Sequence, residues 1–460
     1  MECVSPVSSS TAQYATPCGL CPEHIAAGHE GLAVPSLAPC SFYSRPRRPS
    51  DMERHTTGAE APSVPRAAPK RGLTTTIYLV AVSLYWVALY LYMPTLPLYA
   101  ESKSDNLAVV GVVLSMYGLC QMIIRLPVGV ASDWLGWRRP FIVIGFILAG
   151  IGAWTMGASP DIRGLIIGRA ITGLAAGTWV PLVVAFSSLF PPEEAVRASA
   201  LLTLVGSAGR ILATGVTGSL NERGGYPLAF SLAAGAATLG AIAILGAREA
   251  RRPPERPSAA GILRLISRRD VLLPSLLSAA IQYVNWASTF GFIPILASQL
   301  GATHGTQSLL LSINMGVVTL GNLVATTIVR HVDSRRLVLL SFTLLAAGVG
   351  GAALAPSLPF LFASQFSIGL GQGIVYPVLM GMSIRHVRDA ERATAMGLHQ
   401  SVYAAGMFGG PWLSGILADA VGIRPMFGVT ALACLVSGLV GSRLLAGRGP
   451  REPSPGQKRL

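Results

Sequence analysis

Charge is what this sequence has least of. Asp, Glu, Lys and Arg together make up 12% of the 460 residues, against roughly 25% in a soluble globular protein. A chain this long cannot wet a soluble surface with so few charges. Acid is the scarcer sign, with 21 Asp plus Glu against 35 Lys plus Arg, and no acid falls in the middle of a long apolar run. The 7 histidines are scattered, with no His-Glu-x-x-His pattern and no convergent nucleophile and base, so an enzyme is not expected. Cysteine is rare, at 6 residues. Cys120 and Cys434 lie inside apolar runs and read as packing residues. Cys18-Gly-Leu-Cys21, followed by His24, has metal-like spacing, but its second pair is incomplete. Neither a metal nor a cofactor is expected.

What fills the chain is apolar. Hydrophobic residues make up 51%, and the 51 glycines are spread through apolar segments, where small residues let helices approach closely. Spans of about twenty apolar residues, the length that crosses a bilayer as a helix, are predicted at 75–97, 107–131, 139–158, 163–188, 197–219, 226–246, 272–298, 307–329, 336–355, 358–383, 394–417 and 425–446. Barrel strands need about ten residues of alternating polarity, so the expectation is an all-α membrane protein of twelve transmembrane helices. Residues 1–72 are rich in Ser, Pro, Ala and Arg without periodicity and are read as a disordered tail. Met52 would open a tail of ordinary length, which makes 1–51 a candidate mis-called start.

The net charge of +14 could point to nucleic acid, but that needs a soluble basic face. Here the arginines lie between apolar runs. Loops after the second, fourth, sixth, eighth and tenth spans hold Arg138-Arg139, Arg197, the run Arg248 to Arg269, Arg335-Arg336 and Arg385/Arg388/Arg392, while the opposite loops hold mainly Lys103, Arg223 and Arg424. The positive-inside bias then puts the basic loops and both termini in the cytoplasm of a multi-pass cell-membrane protein. No nucleic-acid partner is expected. A small-molecule solute, the lipid bilayer and a monomeric state are.

The basic stretch 247–271 divides the chain into halves, 73–246 and 272–446, followed by a tail at 447–460. The halves repeat at an offset of about 200 residues. Trp86 and Pro94 match Trp286 and Pro294. Asp133 with Arg138-Arg139 matches Asp333 with Arg335-Arg336. Arg169, Gly173, Gly177 and Pro181 match Gln365, Gly369, Gly373 and Pro377, and Arg197-Ala-Ser-Ala matches Arg392-Ala-Thr-Ala. Duplicated halves around a central site are the architecture of alternating-access transporters.

Gly129-Val-Ala-Ser-Asp133-Trp-Leu-Gly136-Trp137-Arg138-Arg139 resembles the loop signature of the major facilitator superfamily, and the resemblance covers about 75–446. It implies two pseudo-symmetric six-helix bundles and a permease that works by alternating access, of efflux or organic-anion type. A non-transporting sensor on the same fold and a multidrug exporter of cations are the alternatives. The resemblance also implies a gating motif of Gly129, Asp133, Gly136, Arg138 and Arg139, in which Asp133 meets the N-terminus of the eleventh helix and stabilises the outward-open state. Trp134 and Trp137 stand where the family usually has Arg, so Arg138 or Arg139 is expected to substitute. Arg169 with Gly173 resembles a second family signature with an intramembrane arginine. The antiporter signature of the fifth span is absent. Gly406, Gly409, Gly410-Pro411 and Gly415 form a related pattern in the eleventh.

Tyr78, Tyr85, Tyr92 and Tyr99 recur every seven residues, a step that drifts only about 20° on a straight helix. They are expected on one face of the first helix, which lines the cavity in the family. Candidate cavity residues are Tyr85, Tyr92, Arg169, Arg210, Asn285 and Gln365. Gln282, Asn314, Asn322, Gln372 and Gln400 are further polar residues within spans, with helix-to-helix hydrogen bonding as the plainer role. His399 is the candidate for proton coupling, since imidazole titrates near neutral pH, and a structural hydrogen bond is its alternative. Arg125, Arg169 and Arg210 fall within spans, all in the first half, with no intramembrane carboxylate. Each unpaired buried cation costs about 2.5–3.5 kcal/mol even on the lower scales. A cavity preferring anionic or neutral polar solutes is therefore expected.

Overall fold

The computed structural model describes residues 71–247, 264–388 and 391–446. The expected tail up to residue 70, the start at Met52, the Cys18, Cys21 and His24 spacing, most of the basic linker and the tail from 447 lie outside the described residues. Among the described residues every regular element is helical and none is a strand. Nine helices among the described residues are long and apolar enough to cross a membrane.

The remaining segments follow from breaks with local causes. The first segment runs Arg71–Tyr90 and resumes at Leu96–Glu101. Pro94 has no N–H to donate, and its ring crowds the carbonyl four residues back, which is Tyr90, where the helix stops. The seventh segment breaks at the matching place: Arg269–Ala287 passes through a π-helical turn, Ser288–Phe292, into Ile293–Gln299, with Pro294 just inside the last piece. The tyrosine face expected along one straight helix is thus interrupted. Tyr78 and Tyr85 lie on the first limb, Tyr92 in the turn and Tyr99 on the second limb. The long helix Ala195–Gly246 reverses at Gly224 and Gly225, where Gly225 has φ 68, a conformation that favours glycine. Its limbs are the expected fifth and sixth segments. The second to fourth are Leu107–Leu135, Arg139–Ala158, and Ile162–Gly177 with Trp179–Ser187. The eighth to twelfth are His304–Ile328, Ser334–Leu354, Leu358–Ile384, Arg392–Val421 and Ile423–Ala446. This division fits the expected twelve.

Asn106, Asp161 and Thr303 cap the second, fourth and eighth segments by accepting from Val109, Gly164 and Thr306 N–H groups. Ile144, Ile147, Ile151 and Trp154, at helical spacing on the third segment, are exposed. An exposed apolar stripe of this kind suits lipid rather than water.

The second segment packs on the eleventh, and the fifth on the eighth. The end carrying Arg138, Arg139, Arg268 and Arg388 is called here the basic face, and the opposite end the far face. Where the chain returns from the linker, Leu265 is buried with Val271, Val387, Ala395 and Leu398. Arg264 and Arg388 both donate to Glu391, and this pairing, Arg388 first, holds the Glu391 carboxyl below the ordinary carboxylate range.

The far face is closed by two matched contacts. Asp419, at the end of the eleventh segment, accepts from the Leu107 N–H at 3.0 Å and from the Asn106 amide at 3.4 Å. Glu222, at the end of the fifth, accepts from the Gly305 N–H at 3.1 Å. Each carboxylate caps a helix of the other half, and the two caps are related by the same offset of about 200 residues. Close approach supports the first: a Cβ on Gly111 would lie 2.4 Å from the Pro411 carbonyl. An acid at a helix N-terminus contributes about 0.3–1 kcal/mol when exposed. Replacing both, Glu222→Gln with Asp419→Asn, is expected to raise the far-face-open population roughly 3- to 30-fold. Spin labels at Asp105→Cys and Val421→Cys would read it as a longer-distance population. An unchanged distance distribution would remove the latch role.

Candidate solute cavity and gates

A cavity of about 700 Å³ lies between the halves, within the 300–1,000 Å³ usual for small-molecule sites. Its wall runs from Tyr90 and Phe290 at depth to Asp133, Ser187, Ser199 and Thr394 at the basic face. The deep end is shut by rings that meet across the halves. Tyr90 stands edge-on to Phe290 at 6.0 Å, and Tyr117 stacks on Trp286 at 5.1 Å. The cavity therefore opens toward the basic face while the far face is capped.

Two arginines line this wall. Arg210 lies over the Trp86 ring at 4.7 Å and the Tyr90 ring at 6.0 Å, and donates to Ser207 Oγ at 3.2 Å. A ring face attracts a cation by about 0.5–2 kcal/mol, so the aromatic wall holds Arg210 in place without neutralising it. Arg125 donates to the Tyr403 hydroxyl across the halves and lies 5.3 Å from that ring's centre. Among the described residues, Asp133 is the one carboxylate in the wall. It stands at the mouth and accepts from Arg138 at 2.8 Å.

The candidate residues divide. Tyr85, Arg210 and Asn285 line the cavity. Tyr85 gives its hydroxyl to the Ala175 carbonyl at 3.2 Å and stacks on Trp179, so its ring is what faces inward. Tyr92, Arg169 and Gln365 stand outside the wall, and the helix breaks explain why. Tyr92 sits in the turn of the first segment, stacked on Phe230 at 4.9 Å. Arg169 is fully buried, over the Tyr117 ring at 4.5 Å and 3.7 Å from Met93 Sδ in that same turn. No carboxylate pairs with it among the described residues. Gln365, its match in the repeat, accepts from Thr289 at 2.9 Å in the π-helical turn and from Asn314 at 3.1 Å. Both residues thus hold the broken segment of their own half. His399 also stands off the cavity, its Nδ1 at 3.0 Å from Ser275 Oγ.

The polar residues first read together separate in the same way. Asn314, Gln365 and His399 make helix-to-helix hydrogen bonds. Gln282, Asn285, Asn322, Gln372 and Gln400 line the cavity. Composition flagged these residues, but only the fold distinguishes a polar group facing a neighbour helix from one facing a cavity. The ring cluster of Trp86, Trp179 and Trp286 was visible only through the Trp86–Trp286 match.

In the loop motif, Gly136 caps the second segment with φ 61, a left-handed position that suits glycine. Gly129 and Asp133 lie in the cavity wall. Arg139 donates to the Leu245 carbonyl. Trp134 and Trp137 are exposed at the basic rim, as aromatic residues are at membrane interfaces. Among the described residues Asp133 makes no bridge to the eleventh helix. With the basic face open, its partner is Arg138 of the same loop, and a bridge across the mouth requires that mouth to close. Asp133→Asn keeps the shape and removes the charge. Transport is expected to fall about tenfold or more, the scale of a charged hydrogen bond, with normal membrane insertion. Wild-type transport would remove the gating role.

The family model described as Major Facilitator Superfamily matches the chain twice, over residues 78–281 and 275–460. An uncharacterized MFS-type transporter of Methanocaldococcus jannaschii is 20% identical over 360 residues, 75% of this chain and 92% of that protein. Multidrug resistance protein 1 of Bacillus subtilis is 28% identical over 194 residues, 42% of this chain and 49% of that protein. Among solved structures, the human organic anion transporter MFSD10 superposes with a TM-score of 0.62 at 17% identity, covering 81% of this chain and 100% of that one. A bacterial homolog of the human lysosomal transporter Spinster, inward-facing and unoccupied, gives 0.68 at 14% identity, covering 84% and 100%. Identities this low carry the fold alone. Two family matches, one on each half of a repeated helical chain, establish that this protein belongs to the Major Facilitator Superfamily of multi-pass membrane transporters.

Proposed function

We propose that the protein is a secondary transporter that carries an anionic or neutral polar organic solute across the cell membrane. Two six-helix halves, 73–246 and 272–446, would rock around the central cavity. The carrying observation is a cavity wall with two arginines and, among the described residues, one carboxylate already committed to Arg138. With the basic loops and both termini assigned to the cytoplasm by the positive-inside bias, the open mouth faces inward. The protein then works as a monomer, without enzymatic chemistry.

The aromatic wall supports the cation-exporter reading, since ring faces attract cations, as does the likeness to Multidrug resistance protein 1 of Bacillus subtilis. Arg210 already occupies the Trp86 and Tyr90 faces, and a second cation there meets like charge. Competition binding to purified protein separates the readings. Small aromatic carboxylates are expected to bind in preference to cationic dyes, and Arg210→Gln to weaken the carboxylates roughly 10- to 100-fold, the scale of a charged hydrogen bond. Cation binding that survives Arg210→Gln would reject the anion reading.

No mid-span carboxylate offers a proton relay, and His399 is tied to Ser275 away from the cavity. Glutamine preserves a hydrogen bond to that hydroxyl, so His399→Gln is expected to leave the pH profile of transport unchanged. A displaced profile would make His399 a coupling group.

A further inference from the structure

The two walls of the cavity are chemically unlike. Its cations, Arg125 and Arg210, come from the N-terminal half. Among the described residues the C-terminal half supplies five of the six carboxamides, Gln282, Asn285, Asn322, Gln372 and Gln400, with Gln121 of the N-terminal half the sixth. The carbonyl oxygens of all five are buried and have no hydrogen-bond partner among the described residues. Off the cavity in the C-terminal half, Gln307 and Asn314 also keep an unpaired carbonyl oxygen, although the Asn314 amide nitrogen donates to the Gln365 backbone and side-chain oxygens at 2.9 and 3.1 Å; what sets the five apart is that they line the cavity. Buried acceptors are nearly always paired, because leaving one unpaired costs about 1–3 kcal/mol. Five carboxamides on one wall of a cavity, each with an unspent oxygen, are groups that a solute seated there can turn and engage. A carboxamide carries an acceptor and a donor side by side, and what an unspent acceptor needs is a donor: a hydroxyl or an amide N–H.

We infer that the solute is bipartite: an organic acid whose carboxylate or phosphate meets Arg125 and Arg210 and whose body offers hydroxyl or amide groups to the carboxamide wall. This rests on the anion reading above and narrows it. The rings between the walls fit a planar body. Trp86 stands 4.9 Å from Trp179 on one side, and Trp286 stands 4.8 Å from Phe290 on the other. The division also ties recognition to rocking. A simple hydrophobic acid satisfies one wall only. A bipartite acid is satisfied fully only when both halves close on it, so it favours the closed arrangement over the open one, and a ligand shifts a conformational equilibrium only by such differential contact.

Hippurate is a small probe with all three parts: a ring, an amide and a carboxylate. 4-Phenylbutyrate has the same chain length and no amide. N-(2-aminoethyl)benzamide keeps the ring and amide and replaces the acid with an ammonium. Binding of the three to the purified full chain is compared in wild type, Arg210→Gln, Gln282→Leu and Asn285→Leu. Hippurate is expected to bind about tenfold tighter than 4-phenylbutyrate, the scale of one to two hydrogen bonds. Each leucine variant should weaken hippurate toward 4-phenylbutyrate and leave 4-phenylbutyrate itself unchanged, which also shows that the variant is folded. Arg210→Gln should weaken both acids. If the two acids bind equally in wild type, or if the leucine variants weaken both alike, the bipartite solute is rejected while the anion reading stands. If the ammonium compound binds and neither acid does, the anion reading itself fails.

Discussion

A guanidinium does not give up its charge inside a membrane, so each arginine within the apolar bundle needs something other than a carboxylate to face. Much of the arrangement follows from how this is done. Arg169 is placed over Tyr117 and against Met93, Arg210 over Trp86 and Tyr90, and Arg125 against Tyr403 of the other half. Rings and a hydroxyl accommodate these cations without cancelling them. Two of the three remain at the wall of the cavity, and the net field there is positive.

The repeat converts this local chemistry into a machine with two faces. Pro94 and Pro294 break matched segments at matched depths, and Arg169 and Gln365 reach those breaks from matched positions. The broken segments bring Tyr90 and Phe290 together at the deep end of the cavity. At the far face the repeat appears again as two exchanged caps, Glu222 on the eighth segment and Asp419 on the second. The halves differ in what they give the cavity wall: both arginines come from one half and five of the six carboxamides from the other. The repeat thus recurs in the helix breaks and the far-face caps, while the cavity wall takes both of its arginines from one half.

Much of this was legible in the sequence. Span length and the scarcity of charge specify a helical membrane protein, and the loop around Asp133 identifies the family. The site was legible only in part. Arg210, Asn285 and Tyr85 reach the cavity, but Tyr92, Arg169 and Gln365 do not. A heptad of tyrosines places residues on one face only while the helix is continuous, and Pro94 ends that continuity before Tyr92. Nor does spacing along one helix reveal whether a glutamine meets a neighbouring helix, as Gln365 does, or a cavity, as Gln372 does. That depends on the rotation of each helix against partners distant in sequence.

The central claim is that a negative group on the solute is held by the arginines of the N-terminal wall. A structure of the protein with a bound aromatic carboxylate tests it most directly. The carboxylate is expected within hydrogen-bond reach of Arg210 or Arg125, with the ring among Trp86, Trp179 and Trp286. A carboxylate seated in the cavity but turned away from both arginines would contradict it.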